Sequence, residues 1–337
     1  MSFKHSVRDS WLAASYAVGV SELYKKLWGR KRGIISYHNV LPLSNLPPFD
    51  TYNVDQTVEV FEKQIQFLQK HFRILPIQEL SNPKAEGFFI TVDDGMANNY
   101  SVLAPILDKY NIRALFAVCP ALVDGQYPHI WRDHLFLLLH QHQHQPIWLP
   151  LNGHREPFQI GANDETLNGL TRKFKKYVYE HQVADIYGLL KEICKKNAWP
   201  YELSNQEPLR YQFMNWSQIQ DLHQRGHSIA SHTTTHRVLK FLPDHEKQYE
   251  LIESKKRLEK QLGTLVDTIV YPYGSLAEID ESTIAIAQEA GYQRGLMNIQ
   301  THSLSHPTLA LPRFAFPPID TPAHLHAIVS GYKFLFR

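Results

Sequence analysis

Two adjacent carboxylates and a pair of histidines are of the types and spacing that could do chemistry together. Asp93 and Asp94 follow the apolar run FFITV, and His232 and His236 lie four residues apart in SHTTTH. One helical turn or a tight loop can direct both imidazoles at a single ion, and one carboxylate would complete a His-His-Asp set. Such a set leaves positions open for water and substrate, as in a catalytic zinc-type site.

Each motif also has a structural alternative. Asp-Asp-Gly is a common surface turn, and a chance H-x-x-x-H pair is not rare in a chain with 19 histidines. The two motifs together are more specific, because both fall at predicted C-terminal ends of strands, where parallel-sheet enzymes keep their chemistry. The alternating histidines His140, His142 and His144 have no neighbouring acid, and we interpret them as a solvated loop.

The elements that must position these residues alternate between strand and helix. Residues 58–68 show an apolar helical stripe, and further helical patterns lie at 97–110, 215–226, 243–263 and 282–290. The alternation predicts a parallel sheet with right-handed crossovers, and about seven to eight strands fit a distorted (β/α) barrel better than an open sheet. The predicted strands are 33–40, 73–76, 88–92, 113–118, 227–230, 267–274, 292–297 and 312–316.

The chain divides into a barrel domain and two additions. We assign 33–337 to the barrel, 124–214 to a mostly helical insertion within it, and 1–32 to an amphipathic helical segment. The N-terminal segment 1–32 combines apolar side chains such as Trp28 with a basic stretch. It is typical of a helix packed on the domain, which we favour, or of a peripheral membrane contact.

Composition narrows the partners and the compartment. The formal net charge is +2, too small to indicate a nucleic-acid partner. The two cysteines, Cys119 and Cys194, are far apart, which predicts no disulfide scaffold and favours a reducing compartment. No run of 18 apolar residues predicts a membrane span, and no secretory signal pattern is evident. We therefore expect a cytoplasmic location, at the inner face of the membrane if the N-terminal helix binds lipid; the oligomeric state is not indicated.

ITVDDG, SHTTTH and VYPYG together resemble the polysaccharide deacetylase family, also called the NodB-homology or carbohydrate esterase 4 family. The resemblance covers roughly residues 33–123 and 215–318. It implies a distorted (β/α) barrel that removes N-acetyl groups from amino sugars with a divalent metal, most often zinc.

The resemblance also implies roles for single residues. Asp94, His232 and His236 would hold the metal, and Asp93 would be the catalytic base. The physical logic agrees, because a metal acidifies water and polarises the substrate carbonyl while an adjacent unbound carboxylate takes the proton. The backbone N–H of Tyr273 in YPYG would stabilise the oxyanion; a purely structural turn is the alternative for this motif.

Two departures from the family pattern need replacements. The arginine expected two residues before the proline of the third motif is Val270 here. Arg313 in LPRFAF is the candidate replacement, and a surface salt bridge is the alternative explanation for it. The late Leu-x-Leu-x-His motif is also not evident.

A general acid must therefore come from elsewhere in the chain. Tyr37-His38 at the end of the first strand resembles a rearranged exopolysaccharide-deacetylase subgroup, in which the acid histidine comes from the beginning of the chain. His38 would protonate the leaving amine, unless it is a hydrogen-bonded core histidine. Four further histidines are in reserve: His302, His306, His324 and His326.

The expected function is metal-dependent N-deacetylation of an amino sugar in a surface polysaccharide or its lipid-linked precursor. Two alternatives stay open. The missing arginine is compatible with a sugar-binding or assembly protein on a degenerate barrel, and the same chemistry would also serve a deformylase or amidase acting on another C–N bond.

Overall fold

The computed structural model describes residues 3–45, 55–151, 158–159, 164–203, 208–299, 301 and 307–332. The strands of this part of the chain are β1 (Arg32–Tyr37), β2 (Asn39–Leu41), β3 (Asp55–Thr57), β4 (Gly87–Val92), β5 (Leu115–Val118), β6 (Pro146–Ile147), β7 (Phe158–Gln159), β8 (Ser228–Ser231), β9 (Thr268–Val270), β10 (Arg294–Met297), β11 (Leu311–Pro312) and β12 (Phe314–Ala315).

The α-helices are α1 (Phe3–Ala17), α2 (Val20–Leu27), α3 (Val58–His71), α4 (Ala104–Lys109), α5 (Pro120–Val123), α6 (Trp131–Gln141), α7 (Asp164–Glu180), α8 (Ile186–Asn197), α9 (Trp216–Gln224), α10 (Asp244–Gln248), α11 (Ser254–Leu262), α12 (Glu281–Glu289) and α13 (Pro322–Ser330). Two π-helical turns, Asn99–Leu103 and Tyr249–Glu253, run directly into α4 and α11.

Eight strands form one parallel sheet, in the order β11-β10-β9-β8-β5-β4-β1-β12. Only Arg313 separates β11 from β12, yet the two strands pair with opposite edges of the sheet. Leu311 is in register with Leu296 of β10, and Phe314 is in register with Ile35 of β1. Residues 311–315 therefore join both edges and nearly close the sheet into a barrel. The predicted (β/α) barrel is confirmed.

The barrel strands are buried on both faces because helices cover the outside. Every residue of β4 and β5 is buried. Outside the sheet, α3 contributes the predicted stripe of Phe61, Ile65 and Leu68 to the main apolar core. Burial of this continuous apolar surface is the main favourable term holding the barrel together.

Several local predictions differ from the structure: the strand predicted at 33–40 is divided into β1 and β2, and the helix predicted over 243–263 contains the π turn Tyr249–Glu253. The strand predicted at 73–76 is a single bridge between Ile74 and Phe88, since Pro76 has no N–H with which to extend the ladder. The helix predicted over 97–110 contains the π turn at 99–103, because Pro105 has no N–H to donate to a carbonyl one turn back.

Residues 124–214 contain α6, α7 and α8, together with the small antiparallel pair of β6 and β7. Helix residues such as Trp131, Phe174 and Leu190 form an apolar cluster of their own. The segment is joined to the barrel by Arg210, which lies 2.7 Å from an Asp55 carboxylate oxygen and 3.1 Å from one of Asp133. These ion pairs are buried, so they tie β3 of the barrel region to α6.

The N-terminal helix packs on the domain as predicted. Leu12 of α1 is buried with Ala327 and Tyr332, and Trp11 stacks on the Tyr332 ring with centroids 5.3 Å apart. Within the described residues, none of the helices has both the length and the apolar character needed to span a bilayer.

Candidate active site

The chemically competent side chains lie at the carboxyl ends of the parallel strands. Asp93 and Asp94 follow β4, His232 follows β8, His38 follows β1, and Arg313 follows β11. Since carboxyl ends of parallel strands open on the same side of a barrel, these side chains line one cleft of about 440 Å³. His236 and Tyr273, from the loops after β8 and β9, also line it.

Asp94, His232 and His236 form a cluster that could hold a metal ion. The Nε2 atoms of both histidines lie 3.3 Å from Oδ1 of Asp94. Two ligand atoms each ~2.1 Å from an ion in tetrahedral geometry lie about 3.4 Å apart. The three donors therefore have the types and the spacing of a divalent metal site, and the described residues contain no other such cluster.

Partners on the far side of each imidazole orient the two histidines. Nδ1 of His232 lies 2.7 Å from the carbonyl oxygen of Val270, and Nδ1 of His236 lies 3.2 Å from the Tyr273 hydroxyl. A proton on each Nδ1 leaves each Nε2 lone pair directed at Asp94, as metal ligation requires. Val270, at the position where the family pattern has arginine, thus contributes through its backbone.

The protonation states of the cluster suit a cation. Burial would raise the pKa of the Asp94 carboxyl, but its contacts with the side chains of His232 and His236 hold that pKa well below its usual value. Burial lowers the pKa of His236, although Asp94 opposes that shift. An ionised carboxylate and a neutral imidazole are the ligand forms that bind metal.

Arg313 holds Asp93 in a bidentate ion pair. Its two terminal nitrogens each lie 2.6 Å from a different carboxylate oxygen, and both side chains are only 2% exposed. A surface salt bridge, the alternative for Arg313, is therefore wrong. Burial would raise the pKa of Asp93, but the charges of Arg313 and then His38 hold it below its ordinary value. Asp93 stays ionised and free of the metal cluster, as a general base requires.

His38 lines the same cleft on the other side of Asp93. Its Nε2 atom lies 3.6 Å from Asp93 Oδ2, and its side chain is 20% exposed. The ring therefore faces the cavity rather than the barrel core. The backbone carbonyl of His38 accepts a hydrogen bond from Asn99, which anchors the position at 2.6 Å.

Tyr273 has a left-handed backbone, with φ of 61°. Within the described residues its backbone N–H has no acceptor. Its side chain adds a contact that the sequence did not indicate, because the hydroxyl approaches His236 and the two rings meet edge to face at 4.9 Å.

Backbone strain is concentrated at this cleft. Seven non-glycine residues of the described chain have left-handed φ, and four of them are in the cleft loops: Asp94, Thr233, His236 and Tyr273. Each such conformation costs on the order of 1 kcal/mol or more and persists only where neighbours enforce it. Clustering of this strain is typical of a functional site.

Glu250, which the sequence did not single out, holds the histidine loop. Its buried carboxylate accepts hydrogen bonds from the backbone N–H groups of Thr234 and Thr235 at 2.9 and 2.8 Å, and from Arg237 at 2.9 Å. Glu250 precedes Leu251, a buried residue within the helical pattern predicted at 243–263, so a carboxylate next to an apolar position was the available signal.

Residues 124–214 supply a second wall of the cleft, through side chains that the sequence did not single out. We call Arg132, Asp133, Lys175 and Arg210 the insertion wall, and His38, Asp93, Asp94, His232, His236, Tyr273 and Arg313 the barrel wall. Arg132 lies over the Tyr273 ring, 5.6 Å from its centroid, so the two walls meet beside the metal cluster.

The other histidines that the structure describes do not line the cleft. His324 lies 3.1 Å from Asp9 and His326 lies 2.8 Å from Glu22, both where α13 meets the N-terminal helices. His142 stacks on Trp199 after the end of α6, and neither it nor its neighbours His140 and His144 belong to a metal cluster of the described residues. The reserve residues His302 and His306 lie outside the described residues.

A family model described as polysaccharide deacetylase matches residues 81–295, which is more than half of the chain. The match contains the metal cluster, Asp93 and Tyr273, but ends before Arg313 and begins after His38. Putative polysaccharide deacetylase YxkH of Bacillus subtilis is 34% identical over 79 residues, or 23% of this chain. The alignment spans 27% of that relative, about a quarter of its length.

Solved structures share the fold. Deacetylase PplD of Streptococcus pyogenes, in complex with acetate, has a TM-score of 0.57 and 20% identity, covering 89% of this chain and 99% of PplD. IcaB from Ammonifex degensii has a TM-score of 0.51 and 16% identity, covering 90% of this chain and 98% of IcaB. At these identities the likeness establishes a common barrel, so the chemistry must be argued from the site itself.

Proposed function

This chain belongs to the polysaccharide deacetylase family, and from that premise we propose that it is a metal-dependent N-deacetylase acting on an amino sugar. The buried Asp93–Arg313 pair beside the Asp94-His232-His236 cluster is the observation that carries the proposal. It combines an oriented, ionised base with a cation site in one cleft. The substrate we propose is a surface polysaccharide or its lipid-linked precursor, and the ion is zinc, since its preferred ligands and geometry match the donors.

The base and its partner begin the reaction. When bound, a divalent ion supplies a Lewis acid that polarises an amide carbonyl and acidifies water. Asp93 takes the proton from the attacking water as the new C–O bond forms. Arg313 occupies both oxygens of Asp93 in a fixed plane, which aims the carboxylate and keeps it ionised beforehand.

The remaining residues serve the later part of the reaction. The backbone N–H of Tyr273 donates to the oxyanion that develops on the former carbonyl oxygen. His38 gives a proton to the sugar nitrogen as the C–N bond breaks, so that the amine leaves neutral and acetate remains. His38 lies next to Asp93, with Nε2 3.6 Å from Asp93 Oδ2, so both groups reach the same part of the cleft.

Separating the metal ligands from the base tests the proposal. We expect Asp94→Ala and His232→Ala to lose both stoichiometric metal and deacetylation, measured by elemental analysis and by acetate release from N-acetyl amino-sugar oligomers. Asp93→Asn should keep the metal and lose activity by about a hundredfold or more, the usual contribution of a general base. An N-formyl substrate series run in parallel separates deacetylation from deformylation.

Two outcomes would contradict the assignment. One is full acetate release by the Asp94→Ala or His232→Ala protein. The other is a folded wild-type protein that takes up no metal on reconstitution, which would favour a saccharide-binding module. Arg313 already weakens that alternative, because it fills the place of the missing arginine on which the alternative rested.

We also propose that the N-terminal helices bind a membrane surface near a lipid-linked substrate. Ten large apolar side chains are exposed in the described chain, and six lie between residues 11 and 28. Val20, Leu23 and Leu27 follow one helical face of α2, and Val18 and Trp28 extend it. We call these five residues the N-terminal patch.

The opposite face of α2 packs against the rest of the protein. Tyr24 packs against the small apolar cluster of Leu12, Ala327 and Tyr332. The N-terminal patch is therefore left over after packing, and the exposed Lys26 and Lys31 lie beside it. Apolar side chains flanked by lysines, with a tryptophan 70% exposed, suit the interface of an anionic bilayer.

Vesicle co-sedimentation tests this contact. We expect the wild type to pellet with phosphatidylglycerol-containing vesicles and the Leu27→Ser/Trp28→Ser protein to remain largely in solution, while Leu265→Ser, at a residue 81% exposed elsewhere, behaves as wild type. Equal binding by all three proteins contradicts the contact. So does a wild-type dimer in solution that the double substitution dissociates, since a second copy would then cover the patch.

A further inference from the structure

The insertion wall contains a lysine without an anionic partner. Lys175 lies on α7 between Phe174 and Val178, which are buried in the insertion core, and its half-buried side chain lines the cleft. Its ammonium group lies over the Tyr179 ring, 5.0 Å from the centroid. Among the described residues it forms no ion pair.

The other charges of the cleft do not neutralise this lysine. Arg210 is committed to Asp55 and Asp133, and Arg313 to Asp93. Glu278 also lines the cleft and its negative charge acts on Lys175, but no ion pair joins the two among the described residues; Glu278 accepts hydrogen bonds from Tyr179 at 2.8 Å and from the Ser275 backbone at 3.0 Å. Arg132 adds a second positive charge on the same wall.

This arrangement disfavours the ammonium ion in the free protein. Burial lowers the pKa of Lys175 and the charge of Arg132 lowers it further, while Glu278 only partly opposes the shift. Like charges brought together in a half-closed cleft repel, and an anion bound between them would relieve the repulsion. A neutral sugar would not relieve this repulsion.

We propose that Lys175 binds an acidic group of the substrate, a carboxylate or a phosphate, while the N-acetyl group lies at the metal cluster. The inference rests on the proposed function only in taking this cleft as the saccharide site. It deepens that function by assigning an anionic substrate class, which an acidic sugar residue or the phosphate of a lipid-linked saccharide would each satisfy.

Equilibrium binding tests the subsite without requiring turnover. The ligands are a hexosamine 1-phosphate, a hexosamine joined to a uronic acid, and an uncharged methyl hexosaminide, each titrated calorimetrically into the metal-loaded protein. We expect Lys175→Gln to weaken one or both charged ligands about tenfold, as loss of a charged hydrogen bond does, and to leave the neutral ligand unchanged. The ligand that is weakened identifies carboxylate or phosphate as the source.

Matched variants separate charge from structure. Lys175→Arg should restore the preference, and Lys173→Gln, on the exposed face of the same helix, should behave as wild type. With a charged substrate, Lys175→Gln should raise KM and leave kcat near its original value. Equal weakening of all three ligands, or of none, overturns the subsite. Phosphate binding that survives Lys175→Gln but is lost in Asp94→Ala also overturns it, because the metal would then be the anion's only partner.

The proposed reaction and the subsite fail separately. If no N-acyl substrate is hydrolysed by the wild type, the deacetylase proposal falls, yet the titrations still report whether Lys175 selects anions. If acetate is released from charged and neutral substrates with the same KM in wild type and Lys175→Gln, the subsite falls and the deacetylase proposal stands.

Discussion

The barrel wall and the insertion wall of the cleft differ in how their charges are matched. On the barrel wall Asp93 is paired with Arg313, Asp94 faces His232 and His236, and each histidine has an acceptor on its far side. On the insertion wall Arg210 is paired with Asp55 and Asp133, but Lys175 lines the cleft and forms no ion pair with any described residue. The charges of the barrel wall are paired within the protein. The charge of Lys175 on the insertion wall is left for a ligand to neutralise.

This difference separates reaction from recognition. Groups that move protons must be aimed before the substrate arrives, and internal pairing achieves that orientation. A group that selects a substrate gains specificity when its charge is left for the ligand to neutralise. A ligand without the opposite charge leaves that charge unpaired and therefore binds less tightly. Substitutions on each wall should therefore change different kinetic quantities.

The largest effect should follow from breaking the Asp93 pair. We expect Arg313→Gln to lower kcat by about a hundredfold, because a base displaced by even an ångström loses its alignment, while metal content stays stoichiometric. Arg313→Lys should recover little, since an ammonium ion cannot hold both oxygens. Arg294→Gln removes the Asp267 partner at the other end of the barrel and serves as the control. Unchanged kcat in Arg313→Gln would remove the distinction between the walls.

A different effect, on stability rather than on turnover, should follow from breaking the Arg210 ion pairs that connect the insertion to β3. Arg210→Met leaves Asp55 and Asp133 buried and unpaired, and we expect it to lower the free energy of unfolding by about 3–5 kcal/mol. Urea denaturation measures the loss. Arg257→Met, which breaks only partly exposed pairs with Asp124 and Glu253, should cost about 1 kcal/mol or less. Equal losses of unfolding free energy for the two substitutions would mean that the Arg210 ion pairs do not stabilise the contact between the insertion and β3.

The smallest effects come from matched helix caps, one on each side. Asp185 caps α8 in the insertion and Asn215 caps α9 in the barrel, each accepting from a backbone N–H. Each alanine substitution should cost about 1 kcal/mol. If the insertion core opens independently, amide exchange in Asp185→Ala should accelerate only in α6, α7 and α8. Faster exchange throughout the barrel would show one cooperative unit instead.

The sequence was sufficient for the parts of the site that are local in the chain. A buried strand ending in Asp-Asp-Gly, and two histidines one turn apart after another strand, predict positions at the same end of a parallel barrel. Arg313 could also be predicted. The arginine of the family pattern is replaced by Val270, and the last strand must lead to the same end of the barrel. The alternation of strands and helices gave the fold for the same reason.

Contacts between distant segments could not be predicted in this way. Lys173 and Lys175 lie on either side of Phe174, each about 100° around the helix from it, so periodicity cannot tell which one faces the cleft. Glu250 contacts a loop about 15 residues earlier, and nothing in its neighbourhood specifies that direction. Such residues depend on how separate elements pack, which local pattern does not encode.

The position of Arg313 between β11 and β12 has a consequence for the order of assembly. The metal cluster belongs to strands in the middle of the sheet, whereas the partner of the base arrives only when residues 311–315 pair with both β10 and β1. In a chain whose sheet is still open, Asp94, His232 and His236 would already lie near one another. Arg313 would not yet be in place to orient Asp93. Under the proposed mechanism, activity therefore requires a completed ring, and an incompletely folded chain that already held an ion would be inactive.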